Sequence, residues 1–154
     1  MSTRIRLYFR EQPIPDYEDL GIFAIRLMCR MSFQTQNGFT DPYPAIVDTG
    51  APISLIPLQI WRGCKIEAEA IRDSTIRGVV PLEECQLAVT LAEVKCKLVG
   101  VQDESNILSV KAHLAPSDVV PLILGFKSLL DRASLHTDYQ KGEAFIEVES
   151  KRHR

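Results

Sequence analysis

Hydrophobic and polar positions exchange places at a period of two along most of this chain, the spacing of half-buried strands. The pattern is clearest from Ile22 to Phe33, where Ile25, Leu27, Cys29, Met31 and Phe33 fall on one face and Arg26 and Arg30 on the other. A lead-in strand carrying Ile5, Leu7 and Phe9 comes before it, followed by an irregular segment that holds Pro13 and Pro15. Asn37-Gly38 signals a turn, inside a connection over 34–44 that is longer than a two-residue hairpin loop. Residues 43–47 and 53–57 predict short strands. Pro57 stops the second, and Leu58 to Trp61 makes one helical turn with Pro57 as its first residue.

Three further strands are expected over 70–76, 85–91 and 94–101, the last two joined by a hairpin at Ala92-Glu93. Residues 103–116 carry Ile107, Leu108, Val110 and Leu114 in an ambiguous pattern. Residues 119–125 predict a buried strand ending on Gly125. Residues 126–132 predict a short helix with Leu129 and Leu130 inward. Two closing strands, 134–138 and 144–148, flank a turn at Gln140-Lys141-Gly142. Many short strands, frequent turns and one or two short helices argue for a mostly β, barrel-like domain.

Composition narrows the function classes. A chain of 154 residues with 45% hydrophobic content suits one globular domain with a real core. The formal charge of −2 directs no expectation toward nucleic acid or an anionic membrane surface. Arg4, Arg6 and Arg10 near the start, and the run Lys151-Arg152-His153-Arg154, read as solvated ends. The first residues lead into no apolar stretch, so no secretory signal is expected. No apolar run is long enough to span a bilayer, and a cytoplasmic location follows as the expectation. Cys29, Cys64, Cys85 and Cys96 form no CxxC pair. Cys64 and Cys85 could pair in principle, but an intracellular chain would keep them reduced, and all four read as small buried or half-buried residues. His113, His136 and His153 show no ligand spacing relative to the cysteines, so neither zinc nor any other cofactor is expected.

The candidate chemistry lies at Ala45-Ile46-Val47-Asp48-Thr49-Gly50-Ala51-Pro52-Ile53-Ser54, where an apolar strand delivers one acid onto a Thr-Gly pair. One carboxylate alone is a weak base toward water. Two that share a site cannot both ionise, so the pair holds one proton between them. One member then takes a proton from water while the other donates to the substrate carbonyl. Gly50 permits a sharp turn and a close approach, Thr49 offers a hydroxyl that can tie one loop to another, and Ala51 suits crowded surroundings.

Asp48-Thr49-Gly50-Ala51 taken together with Leu122-Ile123-Leu124-Gly125 resembles the paired signature of retroviral-type aspartic proteases, the retropepsins, and their cellular relatives. The resemblance spans roughly residues 20 to 148. It implies a retropepsin-like closed β barrel, the acid protease fold, with a lead-in segment at 1–20, a protease domain at 21–148 and a basic tail at 149–154. It implies that Asp48, Thr49 and Gly50 are the catalytic motif and that the strand ending on Gly125 packs beneath it. It also implies a flap between the motifs, best matched at 71–86, where Ile76, Arg77, Gly78 and Val79 with Ala51 would bind substrate. Gly78 is either the flap tip or an ordinary turn. Pro52 stands where viral relatives often carry an acid that binds substrate backbone, and Ser54 matches a common small polar position.

No second Asp-Thr-Gly or Asp-Ser-Gly occurs, so activity would require a two-fold homodimer that sets Asp48 opposite its own copy, acting on a peptide or protein substrate. Residues 144–148 are either an edge strand for that interface or a core strand within one subunit. The Pro52 substitution and the Gly-poor flap motivate a second reading, the same fold serving as a binding or dimerisation module. Phosphoryl transfer is a third, against which stands the lack of a GxxxxGK phosphate loop.

Overall fold

The computed structural model describes residues 2–66, 72–76 and 86–149. In chain order its strands are β1 (Ser2–Arg6), β2 (Tyr8–Pro13), β3 (Phe23–Thr35), β4 (Gly38–Phe39), β5 (Tyr43–Val47), β6 (Ser54–Ile56), β7 (Arg72–Ile76), β8 (Leu87–Val99), β9 (Leu108–Leu114), β10 (Ile123–Leu124), β11 (Ala133–Asp138) and β12 (Glu143–Glu149). Among the described residues helix is confined to one turn, α1 (Leu58–Trp61), and two 3-10 turns at Glu18–Leu20 and Leu130–Arg132. The chain is mostly β, as its two-residue periodicity predicts.

The pairing of the larger sheet is cyclic. From β3 it runs through β5, β10, β6, β9 and β8, and β8 returns to β3 through Arg30↔Val99 to Phe33↔Cys96. β2 and β7 flank this ring. A smaller antiparallel sheet has the order β1-β12-β11. Inside lie Leu27, Cys29, Met31 and Phe33 of β3, Ala92, Val94, Cys96 and Leu98 of β8, and Ile5 and Ile146 from the smaller sheet. On β3 and on β8 these positions are two residues apart, so every second side chain of each twisted strand reaches the same core. A second, smaller cluster on the other face holds Leu55, Val89, Ala115 and Val120, with Ile76, Leu87 and Ile123 packed on it.

Several expectations are revised. Ile25 stands 56% exposed rather than in the core, because β5 pairs with β3 only as far as Met28↔Ile46, and before that point β3 pairs with β2 alone. The hairpin expected at Ala92-Glu93 does not form. β8 runs straight through it, since Ala92 continues the buried alternation and Glu93 turns outward, its Oε1 accepting from Ser109 Oγ at 2.9 Å. The connection after β3 does contain a two-residue loop: Thr35 pairs with Gly38, and Gly38 takes φ 144, a backbone region that favours glycine. Over 119–125 only Ile123 and Leu124 form a strand. Over 126–132 the expected short helix is reduced to the 3-10 turn at Leu130–Arg132, because Ser128 at φ 65 breaks the right-handed conformation before it; Leu129 and Leu130 are buried as expected. β12 is the central strand of its sheet, with β1 on one edge and β11 on the other, so residues 144–148 form a core strand and offer no free edge.

Candidate functional site

β5 is a short apolar strand that β10 anchors on one side. The Ile46 amide donates to Leu122 O at 2.9 Å and the Asp48 amide to Leu124 O at 3.0 Å. Asp48 is thus held by its backbone at the point where the strand stops. The chain then turns at once: Asp48 Oδ1 accepts the Gly50 N–H at 2.9 Å, and Asp48 O accepts the Ala51 N–H at 3.2 Å. An Asp side chain that caps its own backbone two residues on is a self-supporting turn, which is why Asp followed by a small residue folds this way locally.

The far side of the loop is tied to the same segment. Phe126 N–H donates to Ala51 O at 3.0 Å, Lys127 N–H to Pro52 O at 2.9 Å, and Gly125 N–H to the buried Ser54 Oγ at 2.9 Å. Pro52 fits here without loss, since its carbonyl is what the contact uses. Gly125 makes the closeness possible: a Cβ there would lie 2.7 Å from Ile53 C and 2.8 Å from Ala51 O. The strand ending on Gly125 therefore packs directly against the Asp48 loop. Asp48 is half-buried and Thr49 and Gly50 are exposed, with half-buried Ala51 behind them.

Ile76, at the end of β7, packs on the outer cluster to which Leu55 and Ile123 also belong, and these two are chain neighbours of Ser54 and Leu124. One of the expected substrate-binding residues is thus brought to the side of the sheet next to the loop. Arg77, Gly78 and Val79, and with them the expected flap tip, lie outside the described residues. A groove of about 600 Å³ runs between Ile53 on the loop and residues 72–75 of β7, and His113 of β9 lines it. Burial holds the His113 imidazole below its ordinary pKa, which favours the neutral ring. His113 escapes sequence reasoning because only the parallel register Leu55↔His113 and the pairing Leu91↔His113 bring it here, and no local pattern encodes either.

Cys29 and Cys96 are buried in the core, and desolvation pushes both thiols up to about 12. Cys64, half-buried after α1, is pushed up to about 11 by the same cause and donates to Ile60 O at 3.3 Å. Among the described residues no group of three or more His, Cys, Asp and Glu is placed to hold a metal ion, and no helix is long and apolar enough to cross a membrane.

No protein-family model matches the chain, and no curated protein matches it. Among solved structures, the crystal structure of a retropepsin-like aspartic protease from Rickettsia conorii is similar over 96% of this chain and 92% of that one, with 16% identity and a TM-score of 0.49.

Proposed function

We propose that this chain is an aspartic endopeptidase built on a retropepsin-like closed β barrel and active as a two-fold homodimer. The observation that carries the proposal is the Asp48 loop. One carboxylate is presented half-buried at a strand end, its orientation fixed by the Gly50 N–H and its backbone clamped by residues 122–127 on both sides. A turn needed only to reverse the chain would not require a glycine pressed against it from behind.

Set opposite its own copy, Asp48 would share one proton with its partner. The ionised member takes a proton from a water held between them, and that water attacks the peptide carbonyl carbon. The protonated member donates to the carbonyl oxygen. Return of a proton to the amide nitrogen then releases the two peptide fragments. The groove between Ile53 and β7 supplies an apolar and polar wall for the chain being cut.

The test is a diverse peptide pool incubated with the purified chain from acid to neutral pH. Cleavage should occur, a statine-type transition-state analogue should block it, and Asp48→Asn should lower kcat by roughly 10³-fold or more while leaving the fold intact. Cleavage unaltered in Asp48→Asn would refute the assignment. A folded dimer that binds peptides and cuts none would make the chain a binding module instead.

A further inference from the structure

We infer that the groove between Arg6 and Arg30 binds a short acidic peptide segment, in which carboxylates flank an apolar side chain. The site is separate from the Asp48 loop and does not depend on peptidase activity.

Register assembles the groove. Arg30 of β3 stands opposite Val99 of β8, and Tyr8 of β2 stands opposite Met28, two residues from Arg30 on the same face. The Arg30 guanidinium lies 5.4 Å from the centre of the Tyr8 ring. Arg6, at the end of β1, and Val101, just past β8, complete a cavity of about 530 Å³, a size suited to a ligand. Among the described residues no carboxylate lines it.

Its positive charge is uncommitted. Arg4 is engaged by Glu147 and Lys97 by Glu104, each at 3.1 Å, but neither Arg6 nor Arg30 forms an ion pair among the described residues. The same face continues the excess. Leu27, Cys29 and Met31 turn into the core, so Arg26 and Arg30 turn outward, and Arg10 stands directly opposite Arg26 on β2. All four arginines are exposed. Like charges directly opposite on a sheet destabilise it, so an anion settling here relieves a repulsion that the chain carries alone. A guanidinium matches a carboxylate in shape and can donate two hydrogen bonds to it.

The walls and the far end of the groove decide which anion fits. Val101 stands 85% exposed at the lip, with Val99 and the Tyr8 ring beside it. A bare phosphate would leave these apolar surfaces wet, whereas a peptide carries an apolar side chain to cover them. Beyond Arg6 the trough runs into a second cavity of about 620 Å³, and Arg6 and Val101 line both. Asp103 and Glu143 line that second cavity and turn further negative charge away. The anionic stretch that fits is therefore short. A nucleic-acid strand, charged at every residue, does not meet that condition. A peptide that is acidic only locally does.

Fluorescence anisotropy with the full chain tests this. The probe is a labelled peptide with glutamate at the first and fifth positions of its core, leucine at the third and serine between, which puts all three side chains on one face when extended. It should bind, more weakly as salt is raised, and raise the melting temperature of the chain. Glutamine for both glutamates, or serine for the leucine, should weaken binding. Arg6→Gln combined with Arg30→Gln should raise the dissociation constant by roughly 10-fold or more. Val101→Asp, at a side chain too exposed to support the fold, should weaken binding as well and decides the matter if the double variant melts early. Arg62→Gln, which alters an exposed cation lining neither cavity, should change nothing. Asp48→Asn should also leave the affinity unchanged, so this site and the peptidase reading fail separately. No binding at about 1 mM peptide, or binding indifferent to these groove substitutions, overturns the inference. So does an oligouridylate of equal charge that binds as tightly, since the face would then attract any polyanion.

Discussion

Gly125→Ala is the substitution on which the account of the Asp48 loop can be judged. A methyl group at Gly125 would sit 2.7 Å from Ile53 C, 2.8 Å from Ala51 O and 2.9 Å from Ile53 O. All three are backbone atoms, so none can swing aside as a side chain would. Relief requires the segment 51–53 and the strand end at 125 to part by several tenths of an ångström. That movement strains the bonds that join them, from Gly125, Phe126 and Lys127 N–H to Ser54 Oγ, Ala51 O and Pro52 O. Overpacking of this kind costs roughly 1–3 kcal/mol, and weakening of three hydrogen bonds adds roughly 0.5–1.5 kcal/mol for each one lost. A total of about 3–5 kcal/mol is expected, which lowers Tm by roughly 10 °C for a chain of this size.

The assay is urea denaturation of both proteins, with stability taken by linear extrapolation. Gly142→Ala is the internal comparison. Gly142 has φ 66 but nothing within 4 Å of an added Cβ, so it carries only a backbone conformational cost of about 1 kcal/mol. If Gly125→Ala costs no more than Gly142→Ala, the loop is not clamped from behind and the reasoning fails.

Three further outcomes follow from the same geometry. Ser54→Ala removes the acceptor of a buried N–H and should destabilise by about 1–3 kcal/mol in urea unfolding, more than a serine-to-alanine change on the surface. In the folded protein Cys29 and Cys96 should resist a thiol-specific aromatic disulfide reagent at pH 8, where a thiol at about 12 is roughly one part in 10⁴ thiolate; both should label after denaturation, read by peptide mapping. His113 binds a proton less readily folded than unfolded, so stability should begin to fall as pH drops below about 6.5 and stop falling once pH passes its lowered folded value; thermal melts of His113→Asn should lack that portion of the slope.

Much of the fold was legible because strands carry their own signal. The alternation from Leu27 to Phe33 and the apolar run into Asp48 each reflect one face meeting a core, and both predicted strands are present. The closing pair at 133–149 and the helical turn at Leu58 were readable from turn chemistry and a proline. What misled was the use of local pattern where a non-local fact decides. Ala92-Glu93 resembles a turn only until Ala92 is known to lie in the core. Ile25 has a core pattern, but the core ends before it does. The candidate loop was legible in Asp48, Gly50 and the run to Gly125. That Gly125 touches the backbone of 51–53 depends on a parallel pairing between β5 and β10, which lie about half the chain apart.

The bonds that fix the Asp48 loop, from Gly50 to Lys127, join residues of one chain. A partner would therefore supply the second carboxylate without being needed to order the first. This has a quantitative consequence for mixtures. Chains carrying Asp48→Asn should fold and associate as well as unaltered chains, because the Gly50 N–H can still donate to the amide oxygen. In an equal mixture at fixed total concentration, indiscriminate two-fold pairing leaves about one quarter of the dimers with two carboxylates. Peptidase activity should then fall to about one quarter of the all-unaltered value after the chains are allowed to exchange. Activity that falls only to about one half, in proportion to the unaltered chain, would mean that each Asp48 works alone. The half-site reading, and with it the need for any dimer, would then be wrong.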